Sequence, residues 1–209
     1  MTQIVPGILA HTLTELKEQL HLLSWAKKVH IDIMDGDFVP SKTITALTLK
    51  KALPKMDMQI HLMAHEPHKY VKTYSRLGAQ ELIIHAEATK HASEVLEDIR
   101  LSGMKSGIAF NPQTAIAKHA DTLVHADIAL LMTVNPGFSG QPFIPKPLRK
   151  IAEIKKHNPL ISIGIDGGIN GTTCPLAARA GANFAIATSA IQHAADPKKA
   201  YRELILKCK

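Results

Sequence analysis

Short runs rich in Val and Ile alternate with helically spaced segments from one end of this 209-residue chain to the other. Strand side chains repeat every two residues and helical ones every 3.6, so a pattern that keeps switching periods points to an α/β fold with a parallel sheet. The expected strands are 4–9, 28–34, 58–63, 81–85, 105–110, 127–133, 161–166 and 183–187. Segment 12–23 puts Leu13, Leu16, Leu20 and Leu23 on one helical face and gives Thr12 and Glu15 capping-box spacing. Pro67 stands where a first-turn proline belongs, and Gly78, Gly103 and Gly181 stand where a left-handed residue would end a helix. Eight such units average about 26 residues, compact for a (β/α)8 TIM barrel but within its range. A doubly wound open sheet is disfavoured. The stretch Gly7-Ile8-Leu9-Ala10-His11 lacks a dinucleotide fingerprint, and polar residues gather at strand ends, which in a barrel meet on one face. The expectation is one α/β domain, a (β/α)8 barrel over residues 1–209.

Composition narrows the partners. The formal charge of +7 suits anions, but the basic residues are scattered and only 4% of residues are aromatic, which argues against nucleic-acid binding. Apolar residues make up 45% of the chain, yet no apolar run approaches the roughly 18 residues of a membrane span, and the N-terminus lacks an export signal. Cys174 and Cys208 show neither metal-type spacing nor a disulfide framework, and fit a reducing, cytoplasmic setting.

The second expected strand ends in His30-Ile31-Asp32-Ile33-Met34-Asp35-Gly36, so His30, Asp32 and Met34 share one face. An isolated His-x-Asp of this kind reads more readily as a core histidine and a turn-capping aspartate. His61 at the end of the third strand and Asp166 at the end of the seventh change that balance. Two imidazoles and two carboxylates reaching one rim suit Zn²⁺, and would also accept Fe²⁺, Mn²⁺ or Co²⁺. His85, closing the fourth strand, either faces the site or bonds to neighbours, and Glu87 is either its partner or solvated.

Glycine-rich turns bind anions through backbone N–H groups, as do helix N-termini. Three candidate stretches follow consecutive strands: Asn135 to Gln141 with Gly137, Ser139 and Gly140, then Gly167-Gly168, then Thr188-Ser189. Barrels commonly hold phosphate after strands seven and eight, so a phosphorylated substrate is expected.

Five stretches together resemble the ribulose-phosphate 3-epimerase family: His30 to Gly36, Phe38-Val39-Pro40, His61-Leu62-Met63, Met132 to Gln141, and Ile165 to Gly168. The resemblance implies a (β/α)8 barrel that interconverts D-ribulose 5-phosphate and D-xylulose 5-phosphate by two-base proton transfer through a metal-stabilised cis-enediolate. It implies that His30, Asp32, His61 and Asp166 bind one divalent metal and that Asp32 and Asp166 double as acid and base. It further implies that Met34, Met63 and Met132 line the site, that the glycine stretches, Thr188 and Ser189 receive the phosphate, and that the protein is a homo-oligomer. Related barrel decarboxylases carry Asp-x-Lys-x-x-Asp at the second strand, where this chain has Asp32, Met34 and Asp37, without the lysine.

The chain departs from the epimerase pattern at several substrate contacts. Gly7 and Ala10 stand where the family has serines, Asp37 replaces a histidine, Ser41-Lys42 replaces Asn-Ile, and Thr188 replaces a glycine. These departures leave open a six-carbon ketose phosphate as substrate, or a paralogue that binds phosphosugars without turnover.

Overall fold

Every strand of the barrel is paired on both edges. The computed structural model describes residues 1–137 and 140–209. Its strands are β1 (Gln3–Ile8), β2 (Lys28–Met34), β3 (Asp57–Met63), β4 (Glu81–His85), β5 (Lys105–Phe110), β6 (Ile128–Met132), β7 (Ser162–Asp166) and β8 (Phe184–Ala187). Each pairs in parallel with the next, and β8 returns to β1 to close the barrel. Closure leaves no edge strand and brings all the strand C-termini to one rim.

The outer ring consists of α1 (Leu13–Leu22), α2 (Ala46–Lys50), α3 (Val71–Arg76), α4 (Ala92–Leu101), α5 (Ala120–Leu123), α6 (Lys150–His157), α7 (Cys174–Arg179), α8 (Ser189–Gln192) and α9 (Pro197–Lys207). α1 starts as its sequence predicts, with the Thr12 side chain accepting from the Glu15 N–H. The Glu15 carboxylate accepts from His11 rather than from the cap residue itself. Leu16 and Leu23 are fully buried, and Leu13 and Leu20 pack on the same core. Pro67 opens a short 3₁₀ turn, and the three expected left-handed glycines all have positive φ.

Two apolar zones result. Outward-facing strand residues pack under the helices, while Val5, Ile83, Ala109, Ile128, Leu130, Met132, Phe184 and Ile186 fill the barrel interior. β2 and β3 contribute a different lining, with His30, Asp32, Gln59 and His61 buried, joined by Glu81 and His85 of β4. The interior is thus polar along one wall and apolar along the other.

The cysteines correct the sequence expectation. Cys174 and Cys208 form a disulfide, their Cα atoms 5.3 Å apart. Their separation of 34 residues carries no pairing signal, but the fold packs α9 against α7 and brings the chain's end to the start of α7. No described helix is long and apolar enough to cross a membrane.

Candidate active site

Strand register assembles the site. In β2 and β3, Asp32 pairs with His61 and Met34 with Met63, and between β6 and β7, Met132 pairs with Asp166. The residues at these levels point into the mouth of the barrel, where His30, Asp32, His61 and Asp166 offer ligand atoms within 4.8 Å of one another, all buried. Asp32 Oδ1 lies 2.9 Å from His61 Nδ1 and 3.3 Å from His30 Nε2, while Asp166 Oδ2 lies 3.5 and 3.8 Å from the same nitrogens.

Each histidine is held from behind. His30 Nδ1 lies 2.6 Å from Gln59 Oε1, a group that can only accept, so Nδ1 carries the hydrogen and Nε2 faces the cluster. Gln59 donates in turn to Glu81 at 2.5 Å, and Glu81 pairs with Lys28 at 2.6 Å near the opposite end of the barrel. Among the described residues, His30 Nε2 is left buried without a hydrogen-bond partner. An orphaned nitrogen beside a second imidazole and two carboxylates is a donor set that fits a divalent metal.

The backbone behind the aspartates is fixed as well. Thr43 accepts from the Met34 N–H and donates to the Asp32 carbonyl, which secures the end of β2. The Thr133 hydroxyl lies 2.9 Å from the Asp166 carbonyl and 2.6 Å from that of Gly167. Asp35 accepts from the N–H groups of Asp37, Phe38 and His65 and so shapes the loop after β2 rather than facing the site.

The buried charges push the two carboxylates apart. Burial alone would raise both. The two imidazoles of His30 and His61 close beside it overcome burial at Asp32 and hold that carboxyl well below the usual range. Asp166 is raised by burial and by the neighbouring charge of Asp32. Burial works against charge on His30, but Asp32 and Asp166 outweigh it and lift the imidazole to about 9, whereas burial lowers His61.

A cavity opens above this cluster. Asp32, Asp166, Met34, Met63 and Met132 line it, together with Gly137, Gly140, Gly167, Gly168, Thr188 and Ser189. The expected phosphate-side residues therefore gather around the same space as Asp32 and Asp166. Ser139, also expected there, lies outside the described residues. Gly167 and Gly168 need their lack of a side chain, with φ of 110° and 66° and no room for a Cβ at Gly167 beside Val134.

Sequence reasoning missed Gln59 and Glu81. Alternation would have found them, since Gln59 shares a face with His61, and Glu81 with His85. Thr43, an ordinary loop residue in sequence, and Thr133, the last residue of an expected strand, carried no signal.

Residues 3–192 match the Ribulose-phosphate 3 epimerase family. The chain is 38% identical to a ribulose-phosphate 3-epimerase of Bacillus subtilis (strain 168) over 213 residues, covering 98% of both chains. It is 39% identical to that of Mycobacterium leprae (strain TN) over 207 residues, covering 96% of this chain and 92% of the relative. Among solved structures, a crystal structure of KGPDC from Streptococcus mutans superposes with a TM-score of 0.73 at 15% identity, covering 99% of this chain and 97% of that one. The 3-hexulose-6-phosphate synthase of Salmonella typhimurium gives 0.70 at 16% identity, covering 99% and 98%. At that identity the two structures speak for the shared barrel alone. Matched over nearly its whole length by family and relatives alike, the chain belongs to the ribulose-phosphate 3-epimerase family.

Proposed function

We propose that this chain epimerises carbon 3 of a ketose phosphate, interconverting D-ribulose 5-phosphate and D-xylulose 5-phosphate, with one divalent metal held by His30, Asp32, His61 and Asp166. The observation that carries this is the pair of buried carboxylates, Asp32 and Asp166, set with two imidazoles at the barrel mouth. Inversion beside a ketone removes a proton from one face of the carbon and delivers another to the opposite face. Asp32, ionised, serves as the base on one side, and Asp166, inclined to keep its proton, serves as the acid on the other. In the reverse direction the roles exchange.

When bound, a divalent cation would polarise the ketone and offset the negative charge that develops as the proton leaves. Zn²⁺ fits the two imidazoles and two carboxylates best, with Fe²⁺, Mn²⁺ and Co²⁺ as acceptable occupants. Met34, Met63 and Met132 place an uncharged wall around the reacting carbon and limit water there. Backbone N–H groups around Gly137, Gly140, Gly167 and Gly168, with Thr188, Ser189 and Ser139, are assigned to the phosphate.

Self-association of identical chains belongs to the same proposal, as does action in the cytoplasm, where a phosphorylated sugar is retained by its charge. The Cys174–Cys208 bond pulls the other way, because disulfides persist chiefly in oxidising compartments. Trapping thiols in freshly lysed cells reads the state of that pair directly.

Incubating the metal-supplemented protein with D-ribulose 5-phosphate in D₂O and following carbon 3 by NMR tests the reaction. Deuterated D-xylulose 5-phosphate is the expected product. Folded, metal-loaded protein giving neither exchange nor product would overturn this substrate assignment in favour of a six-carbon ketose phosphate or a binding-only role.

A further inference from the structure

Behind His61 lies a second line of polar groups that the acid/base chemistry does not use. His85, at the end of β4, is fully buried, and its Nε2 stands 2.9 Å from His61 Nε2. Its Nδ1 lies 3.2 Å from Glu87 Oε2. Glu87 is clamped by the loop after β5, where the Asn111 N–H and the Thr114 hydroxyl both donate to Oε1. Lys150 braces that loop by donating to the carbonyls of Asn111 and Pro112.

The direction of each bond follows from what each group can do. Against the cost of partial burial, the neighbouring His85 imidazole and then the two donors on Oε1 hold the Glu87 carboxyl at about 2, well below its ordinary value. It is therefore an acceptor only, and His85 Nδ1 must supply the hydrogen between them. In a neutral His85 ring, Nε2 is then left with a lone pair. The hydrogen between the two rings consequently belongs to His61 Nε2, and the lone pair of His61 moves to Nδ1, the atom that faces Asp32 and Asp166.

We propose that Glu87 and His85 are positioning residues that fix which nitrogen His61 presents to the metal, an inference that rests on the metal site proposed above. Histidine ligands are commonly oriented by a partner on their far nitrogen, and losing that partner typically weakens metal affinity 10–100-fold. Glu87→Gln keeps the shape of the side chain, and in the orientation whose carbonyl still accepts from both the Asn111 N–H and the Thr114 hydroxyl it turns an amide NH₂ towards His85 Nδ1, which reverses the string of donors.

The test is Zn²⁺ affinity, measured by competition with a chromophoric chelator, for the wild-type protein, Glu87→Gln and His85→Phe, with thermal unfolding of the metal-free forms as a folding control. Expected is one Zn²⁺ per wild-type chain and binding weakened about 10–100-fold in Glu87→Gln at unchanged metal-free stability. Long-range ¹H–¹⁵N NMR of the zinc-loaded wild type, which needs no variant, should show His85 with its hydrogen on Nδ1. Wild-type affinity in both variants, or a hydrogen on His85 Nε2 in the zinc-loaded protein, would overturn the relay while leaving the metal site standing. A wild-type chain that binds no Zn²⁺ would remove the metal site and the relay with it.

Discussion

Thr188 occupies the space that a side chain on Gly7 would need. A Cβ built on Gly7 falls closer than 3.0 Å to Thr188 Oγ1, 3.1 Å from Thr188 Cβ and 3.2 Å from Ile186 Cγ2. A side chain at position 7 on β1 and the Thr188 side chain just after β8 therefore compete for one space.

Restoring serine at position 7 alone should fail. Gly7→Ser is expected to destabilise by about 1–3 kcal/mol through overpacking against Thr188, whereas Gly7→Ser combined with Thr188→Gly should recover most of that loss. Thermal unfolding of the two single variants and the double variant measures the coupling. Strict additivity would show that the two positions do not compete for the same space.

Asp32→Asn and Asp166→Asn should each lower kcat by at least about 10²-fold, the lower range for a positioned acid or base. Because each aspartate also belongs to the proposed metal set, bound metal is measured alongside turnover. Near-normal epimerisation by either variant would defeat two-base transfer.

In the metal-free protein, His30 is lifted from 6.5 to about 9. A raised folded-state pKa adds stability that is fully present below the unfolded value and is lost as pH rises through the folded one, so His30's contribution fades between about 6.5 and 9. Metal binding at His30 must displace that proton, so Zn²⁺ affinity should climb over the same window. Calorimetry of chelator-treated protein and Zn²⁺ titrations across that range check both slopes. Zn²⁺ affinity independent of pH would remove His30 from the ligand set.

Reducing the Cys174–Cys208 bond should lower stability by about 2–4 kcal/mol, as expected for a link closing a loop of 34 residues. Neither cysteine lines the cavity at the barrel mouth, so kcat should hold below the melting transition. Unfolding with and without reductant, read beside activity, separates the two effects.

The legible parts of this molecule are those written in local periods. Three strands, Lys28–Met34, Glu81–His85 and Lys105–Phe110, have the bounds that alternation alone predicts. His30 and Asp32 could be read together because residues two apart on a strand share a face. Gly7 and Thr188 meet only because the barrel closes β8 onto β1, and no local period records that closure. The same holds for Cys174 and Cys208, which the docking of α9 brings together. Glu87 stayed ambiguous because its partners, Asn111 and Thr114, come from the next strand's loop.

The divided lining of the barrel has an engineering consequence. Along the wall of β2 and β3, with Glu81 of β4, each side chain is tied to the next from Lys28 through Glu81 and Gln59 up to His30, so a change near the floor is transmitted to the mouth. The facing wall, with Ala109, Leu130 and Phe184, is constrained by volume alone. A library that randomises this apolar half at constant total volume would leave the ionic half undisturbed. It offers a route to new cavity shapes over an unchanged set of acids, bases and ligands.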